Sequence, residues 1–527
     1  GEPNLLQGLA GKTSGVLITQ SAGDPGASAF IQIRGQNTIL GNSSPLIVVD
    51  GIPISNSTFA GNGGSVGGTT AGVVQQSRLN DIPASDIESM TVLKGAAAAA
   101  VWGSGAANGV IVVTTKSGAS NVKSDKPFNV SVRSALSVDQ INIEHPKQTA
   151  YGQGSGGRYS PTSAFNWGDK IADRPGGDDF VIDGPGKYFS AGGSDLYGGY
   201  FEAEDGTKYY AIPSAGSAVY DANGNAYPNM TGAGSDTLHG GKRSTDVAND
   251  PNRDQVFRNG LAYDNSISLS NANEAGSFFL SIADYNQTGI FNGNSDYRRS
   301  SVRINVKRNI SEKFSGRINS TYSRVASNRV QSGSNLNGLY LGYLRTPADF
   351  DNSDYKGSYN SYNGIDHTPS FNAHRGYRRY LGNSAPTYNN PGWTIFEQIN
   401  TTNVDRFLVN PELVYNINNS LSLTYNSGID YSSDKRITYF PYRSGGSEAS
   451  GRLNDEELNE SEFTQNLYLR GSRYLNENIS ASAILGFQLN DRSFRTVGGT
   501  SAGFIVTDNP PLNFNNTTAA NNSAFNY

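Results

Sequence analysis

Four histidines, His145, His239, His367 and His374, are the chain's only imidazole ligands for a transition metal. His367 and His374 lie seven residues apart, with Asp366 beside the first. A structural or catalytic zinc needs three or four converging ligands. All four histidines fall in stretches that read as loops, so they read as surface polar residues and no metal site is expected. Asp221-Ala222-Asn223-Gly224-Asn225 has the look of a calcium loop but lacks its spacing and closing Glu. Asn223-Gly224, between Ala218-Val219-Tyr220 and Ala226-Tyr227, reads better as a hairpin turn. Glu204-Asp205-Gly206-Thr207 reads likewise. No phosphate-cradling loop occurs, and no G-x-S-x-G sits in a strand–turn–helix context. With Cys 0 there is no thiol nucleophile, thiolate metal site or disulfide framework. Neither enzymatic chemistry nor a cofactor is expected. Recognition chemistry remains. The aromatic-rich loops holding Tyr340, Tyr343, Arg345 and Tyr355 could line a mouth and stack on sugars or peptide side chains. Loop packing or an interfacial aromatic girdle is the plainer alternative.

Charge and composition narrow the class. Lys+Arg 41 against Asp+Glu 46 gives a net charge of -5. The charges are scattered, so there is no basic footprint and no nucleic-acid partner is expected. Gly at 62 and Tyr at 29, with few helix formers, point to β structure with long polar loops. No apolar run approaches the ~20 residues of a membrane helix. That excludes a helical membrane bundle but not a β-barrel, whose strands cross with ~10 alternating residues.

The elements form two groups. Met90–Leu93 and Val110–Thr115 read as strands, the second buried on both faces because its apolar run is unbroken. Ala96–Ala100 and Gly103, Gly105 and Gly109 form a tight turn between them. Upstream, Leu5, Leu6 and Leu9 suggest a short helix ended by Gly11, then a strand from Val16. Ala29–Arg34 alternates, and Leu46–Asp50 is a buried strand leading into the Asp50-Gly51 turn pair. Asn56–Thr70 reads as a loop, and Ser85-x-x-Glu88 as a weak capping box. Residues 1–118 therefore make a compact mixed α/β unit, and 119–127 a polar linker.

From Phe128 onward the period is two. Phe128, Val130, Val132, Leu136 and Val138 share one face of a strand, with Asn129, Ser131, Arg133, Ser137 and Asp139 opposite. Val302, Ile304 and Val306 alternate with Arg303, Asn305 and Lys307, and Leu421–Tyr431 and Ala481–Leu489 repeat the pattern. About nine such strands are legible. Short connections at Asn271–Gly276, Asn309–Glu312, Asn416–Ser420 and Asn476–Asn478 alternate with long ones. The long ones are Ile141–Leu261, Gln287–Tyr297, Ala326–Asn403, Ser433–Ser461 and from Asp491 onward. Short turns on one side and long loops on the other describe residues 128–527 as part of a transmembrane barrel with the α/β unit as its plug. Plugged barrels use about 22 strands. An open edge in lipid costs several kcal/mol per unpaired group. The barrel is thus expected to be incomplete in this chain, an N-terminal half with further strands beyond Tyr527 or, second, on another chain.

The motifs also carry a resemblance. Ile87–Gly118, with Leu93-Lys94, the Ala-rich turn and Ala107-Asn108-Gly109-Val110-Ile111, resembles the closing segment of the plug of TonB-dependent outer-membrane transporters, and more narrowly of the SusC/RagA group. Ile31-Gln32-Ile33-Arg34-Gly35 and Pro45–Ile54 resemble that group's I-x-I-R-G and P-L-x-V-x-D-G-x-P segments. The matching plug positions are Arg34, Gly35, Asp50, Gly51, Lys94, Gly103, Asn108 and Gly109. Gly95, Trp102 and Gly105 depart from the group's usual acidic residue, Tyr and Arg. Gly289-Ile290-Phe291, Leu344-Arg345-Thr346-Pro347 and Asn390-Pro391-Gly392-Trp393 extend the resemblance into the barrel. The resemblance implies import of a glycan or peptide across the outer membrane of a Gram-negative cell, driven through TonB and capped by a SusD-like lipoprotein. It also implies a signal sequence, often a small β-domain, and a TonB-engaging segment ahead of Gly1. A siderophore-type receptor without the lipoprotein, or a non-transporting scaffold or adhesin, are the alternatives.

Overall fold

The computed structural model describes all residues except 1–10, 36–42, 57–71, 95–101, 119–127, 160–164, 175, 177–188, 192–199, 203–207, 212–218, 222–244, 335–336, 354, 363–366, 377–385, 477–478, 508–511, 519–521 and 527. The expected Leu5–Leu9 helix, Ala96–Ala100 turn, 119–127 linker, His239, Asp366 and the turns at 204–207 and 222–225 lie outside the described residues, as does nearly all of the Asn56–Thr70 loop.

Two small sheets build the plug. Strands β1 (Val16–Gln20) and β2 (Ala29–Ile33) pair antiparallel. Strands β3 (Leu46–Val49), β4 (Ile52–Ile54), β5 (Ile87–Leu93) and β6 (Val110–Thr115) form a sheet ordered β4-β3-β6-β5. The central strand β6 runs parallel to β3 and antiparallel to β5. Its Val110, Ile111 and Val113 are fully buried, which is why its apolar run is continuous. Between β3 and β4, Asp50 and Gly51 both take positive φ, 50° and 93°. That pair of angles is the hairpin turn an Asp-Gly dipeptide favours. Ile31, Ile33, Ile47, Val49, Ile54, Leu79, Ile82, Ile111 and Val113 close the core. The Ser85-x-x-Glu88 pattern caps no α-helix. Ala84–Asp86 is a single 3-10 turn without a side-chain cap, and Glu88 lies in β5. Pairing of β5 with β6 outweighs the local capping preference there.

The second group is one ten-stranded sheet. Its strands are β7 (Asn129–Asp139), β8 (Gly260–Asn273), β9 (Gly276–Thr288), β10 (Asp296–Asn309), β11 (Phe314–Asn328), β12 (Ile399–Asn418), β13 (Leu421–Phe440), β14 (Arg452–Asn476), β15 (Ile479–Ala502) and β16 (Asn522–Asn526). Each pairs antiparallel with the next in sequence, as a barrel wall does. Ile282, Val302, Ile304, Phe407, Leu423, Ile429 and Tyr431 point outward and are exposed, whereas Arg303, Asn305, Arg406, Asp430 and Glu460 point inward and are buried. Among the described residues the sheet is open, with β7 at one edge and β15, only partly covered by β16, near the other.

The strands outrun their apolar stretches. The connections read at Ser433–Ser461 and from Asp491 are largely strand, because β13, β14 and β15 run 20, 25 and 24 residues. About 9–11 residues suffice to cross the hydrocarbon layer. Beyond it, both faces of a strand can be polar while backbone pairing continues, so periodicity stops before the ladder does. The loops above carry helices that the sequence pattern did not announce: α1 (Asn249–Val256), α2 (Leu339–Arg345) and α3 (Pro391–Phe396). They share a core of Val256, Phe257, Val330, Leu339, Tyr343 and Ile395. The α3 helix starts well because the Asn390 side chain accepts from Gly392 N–H and Pro391 opens its first turn.

Gly109 carries φ +90°, and a Cβ there would lie 2.9 Å from Ile33 Cδ1 and 3.0 Å from Leu93 O. Gly51 has φ +93° but open space around it. Gly51→Ala should therefore cost about 1–2 kcal/mol of left-handed strain. Gly109→Ala should cost roughly 1 kcal/mol or more beyond that from overpacking. The denaturant midpoint for loss of plug protease protection checks both, and equal midpoints would refute the packing argument.

Candidate functional site

A plug seated against a polar wall needs a partner for every polar group it buries. The described residues meet much of that need with four sets of contacts along the seam, although Gln76 Oε1 and Asn80 Oδ1 have no hydrogen-bond partner. Asp50 anchors the first. Its carboxylate accepts from Thr115 N (2.9 Å) and Thr115 Oγ1 (2.7 Å), tying the β3–β4 turn to β6. The buried Arg303 of β10 reaches Asp50 and Asp86, each at 3.5 Å. Asn410 of β12 donates to the Asp50 carbonyl (3.2 Å), and Asn305 of β10 donates to Lys116 O (2.7 Å).

Arg406 of β12 centres the second set and is 1% exposed. It forks onto Asp430 of β13 through Nε (2.9 Å) and Nη2 (2.6 Å). The same guanidinium donates to the plug carbonyls of Arg78 and Ser55 and lies 3.5 Å from Asp81. Ser55 returns its N–H to Asp430 (2.9 Å) and its hydroxyl to Glu460 of β14 (2.7 Å). In the third set Arg299 Nη1 donates to Asn80 O (2.6 Å) and the Tyr297 hydroxyl to the same carbonyl (3.1 Å). In the fourth, Arg329 Nη1 donates to Val74 O (3.3 Å) and Gln75 Oε1 (3.1 Å), and Gln76 Nε2 to Ser327 Oγ (2.6 Å).

The seam is also a fit of shapes. A Cβ on Gly428 of β13 would lie 2.4 Å from Ile52 Cγ2, so the hairpin tip packs against bare wall backbone. A Cβ on Gly26 would lie 2.3 Å from the Tyr297 ring.

The motif residues shape the plug more than they line the seam. Arg34 and Gly35 form a left-handed pair after β2 (φ 57° and 94°), and the Arg34 side chain is exposed. Lys94 Nζ donates to Ser14 O (2.6 Å), Asn108 Nδ2 to Ser44 O (3.5 Å), and Gly103 opens the 3-10 turn Gly103–Ala106. Among the described motif residues, only Asp50 holds an ion pair to the wall. No sequence motif marks Arg303, Arg406, Asp430 and Glu460 as site residues. Their signal was present as charged residues on the inward phase of apolar-outward strands.

The aromatic residues expected at a mouth divide. Tyr343 is 4% exposed, edge-on to Phe257 at 5.2 Å, with Lys147 Nζ over its ring at 4.2 Å. It has no free face for a ligand, because the three helices needed an aromatic for their shared core. Tyr340 packs beside it. Tyr355 stacks on Phe396 and donates to Glu397 (2.8 Å), and Arg345 lies over the Tyr388 ring at 5.7 Å. His374 is buried against Trp393, ring centroids 4.1 Å apart and nearly coplanar. Its Nε2 accepts from Asn390 N–H (3.1 Å), so Nδ1 carries the proton and donates to Arg443 O (2.8 Å). Both nitrogens are engaged, which leaves neither for a metal. Burial pushes its pKa down to about 3. His145 is exposed in the first long loop, and His367 opens a short loop strand, His367–His374.

Comparison with known proteins agrees with this geometry. Residues 1–110 match the TonB-dependent Receptor Plug Domain family. The chain is 35% identical over 163 residues to the TonB-dependent receptor SusC of Bacteroides thetaiotaomicron, covering 31% of this chain and 14% of SusC. It is 35% identical over 141 residues to a TonB-dependent receptor of Formosa agariphila, covering 27% of this chain and 12% of that protein. Its first 110 residues are thus a TonB-dependent receptor plug domain, and the chain is similar to SusC. The RagAB peptide importer in its closed-closed state shares the fold at TM-score 0.64 and 18% identity, over 100% of this chain and 50% of that one. The chain thus spans about half the length of that solved relative, and its sequence matches cover a smaller share of the curated ones.

Arg406→Met would leave Asp430 buried without this cation and Asp81 with Arg78 alone, 3.6 Å away, a loss of about 3–5 kcal/mol in plug seating. The expected readout is raised ion conductance through the whole protein in a planar bilayer, and adding Asp430→Asn should recover part of the loss. Conductance unchanged in Arg406→Met would show that the pair does not hold the plug.

A second prediction concerns His374. The unfolded ring protonates near 6.5 and the buried one near 3, so the unfolded chain binds more protons between those values. Loop stability should be intact above pH 6.5 and fall as the pH drops toward 3. His374→Gln should flatten that slope, followed by Trp393 fluorescence.

Proposed function

We propose that the whole protein actively imports a large nutrient, a glycan or a peptide, across the outer membrane. In this reading work delivered through TonB unseats the plug, and a SusD-like lipoprotein covers the loops. The observation that carries it is the chemistry of the seam. The plug meets the wall through ion pairs, carbonyl contacts and single-residue apolar fits, and its own apolar core lies within its sheets. Polar contacts of that kind exchange for water when the plug shifts, so external work can bias a seated and an unseated state. A fused apolar interface would resist such a shift.

The outward apolar residues support placement in the outer-membrane lipid. The open edges at β7 and β15 support further wall strands, since unpaired backbone in hydrocarbon costs several kcal/mol per group. The kinship with SusC and the shared fold with the RagAB peptide importer support a glycan or a peptide as cargo and a lipoprotein partner. The domain limits proposed are a plug over 1–118, a linker over 119–127 and barrel from 128.

The test uses the absence of cysteine from the chain. Val73 of the plug bridges antiparallel to Gln331 of the wall. Val73→Cys with Gln331→Cys should form a disulfide across that pair. Cells carrying the oxidised protein should take up labelled oligosaccharide or oligopeptide at background rate and recover on reduction. Uptake that survives both the cross-link and deletion of the protein would favour a structural role instead.

A further inference from the structure

Beyond the seam itself, one short segment touches both the plug and the loop helices. Arg329–Ser332 continues β11 upward as extended chain. On one side it holds the plug. Val73 bridges Gln331, Gly72 O accepts from Ser332 N (3.2 Å) and Ser332 Oγ (3.2 Å), and Arg329 grips Val74 and Gln75. On the other side it holds α2. Leu339 N donates to Gln331 O (2.9 Å) and Tyr340 N to Ser332 O (3.2 Å).

The sequence makes both attachments possible. Side chains of an extended segment alternate, and Val330, 1% exposed, packs into the helix core while Arg329 reaches the plug. Helix α2 has no side-chain cap at Gly338. Its first N–H groups, which a helix cannot satisfy internally, are bonded by the segment instead. Close approach reinforces the plug side, since a Cβ on Gly72 would lie 2.5 Å from the Gly333 backbone.

The geometry points to Arg329–Ser332 as a coupling strut: displacement of the loop helices changes how plug residues Gly72–Ser77 sit on the wall. Helix α2 cannot move relative to α1 and α3 without pulling on the carbonyls of Gln331 and Ser332. Those residues hold the Gly72–Val73 backbone in the same hydrogen-bonded layer. This rests on the reading of the plug as a movable gate and adds a route by which occupancy of the loops biases that gate.

The experiment is hydrogen exchange on the full protein in detergent, followed over residues Gly72–Ser77. Tyr343→Ala empties part of the helix core without touching the plug. It should speed exchange of that segment by about fivefold or more, the scale of ordinary site-to-site coupling. Tyr439→Ala opens a comparable hole in a cluster at the ends of β13 and β14 with Leu453 and Phe504 and should leave the segment unchanged. If Tyr343→Ala leaves exchange unaltered, or if Tyr439→Ala acts equally, the strut is overturned. Should Tyr343→Ala fail to fold, Tyr343→Leu serves with the same expectations. Exchange needs no transport, so failure here leaves the uptake result standing, and failed uptake leaves this result standing.

Discussion

A charge withdrawn from water inside a polar lumen has to meet its counter-ion, and the plug's position follows from that demand. Arg406 is the plainest case. It is buried, forked onto Asp430 of the neighbouring wall strand, and its remaining donors go to plug carbonyls at Arg78 and Ser55. One wall side chain therefore sets the depth and rotation of two plug segments. Asp50 does the reciprocal job from the plug side, binding β6 through Thr115 while facing Arg303. Buried pairs of this kind add little net stability over an apolar substitute but penalise every misaligned arrangement. The seam therefore selects one seat for the plug.

Above the seam the protein builds a second ordered layer. Three short helices stand on strands that run past the apolar belt, and a polar network stitches them together. His374 lies at its centre as a neutral ring with both nitrogens bonded and one face on Trp393. Asn390 caps α3, donates its N–H to His374 and reaches Asn352, which in turn bonds Thr346 at the end of α2. The Arg329–Ser332 segment joins this layer to the plug. The helix layer above and the plug below thus share backbone hydrogen bonds.

Much of this was legible in advance. Period-two alternation located the wall strands, the Asp50-Gly51 pair located a hairpin turn, and the unbroken Val110–Val113 run marked the central plug strand. Each is a local consequence of side-chain geometry or backbone angles. The upper parts of β14 and β15 were hidden, because a strand with polar residues on both faces has no hydrophobic period. The helices were hidden too, since a helix of six to eight residues depends on packing for its stability more than on propensity. Tyr343 shows the same limit. Its type suited a binding mouth, and its place in the helix core was decided by Phe257, Val256 and Ile395 far away in the chain.

The sequence by itself determined the two-part architecture, the wall's inward and outward faces, and the kinship with SusC/RagA-like receptors carried by the plug motifs. Those features are periodic or contiguous, so they survive in one dimension. Only the tertiary structure decided which inward charge meets which plug atom. Arg406 and Arg78 are separated by 328 positions, and Ser55 and Glu460 by 405. Pairing across such distances is set by strand register and by the angle at which the plug enters, and no local pattern encodes either.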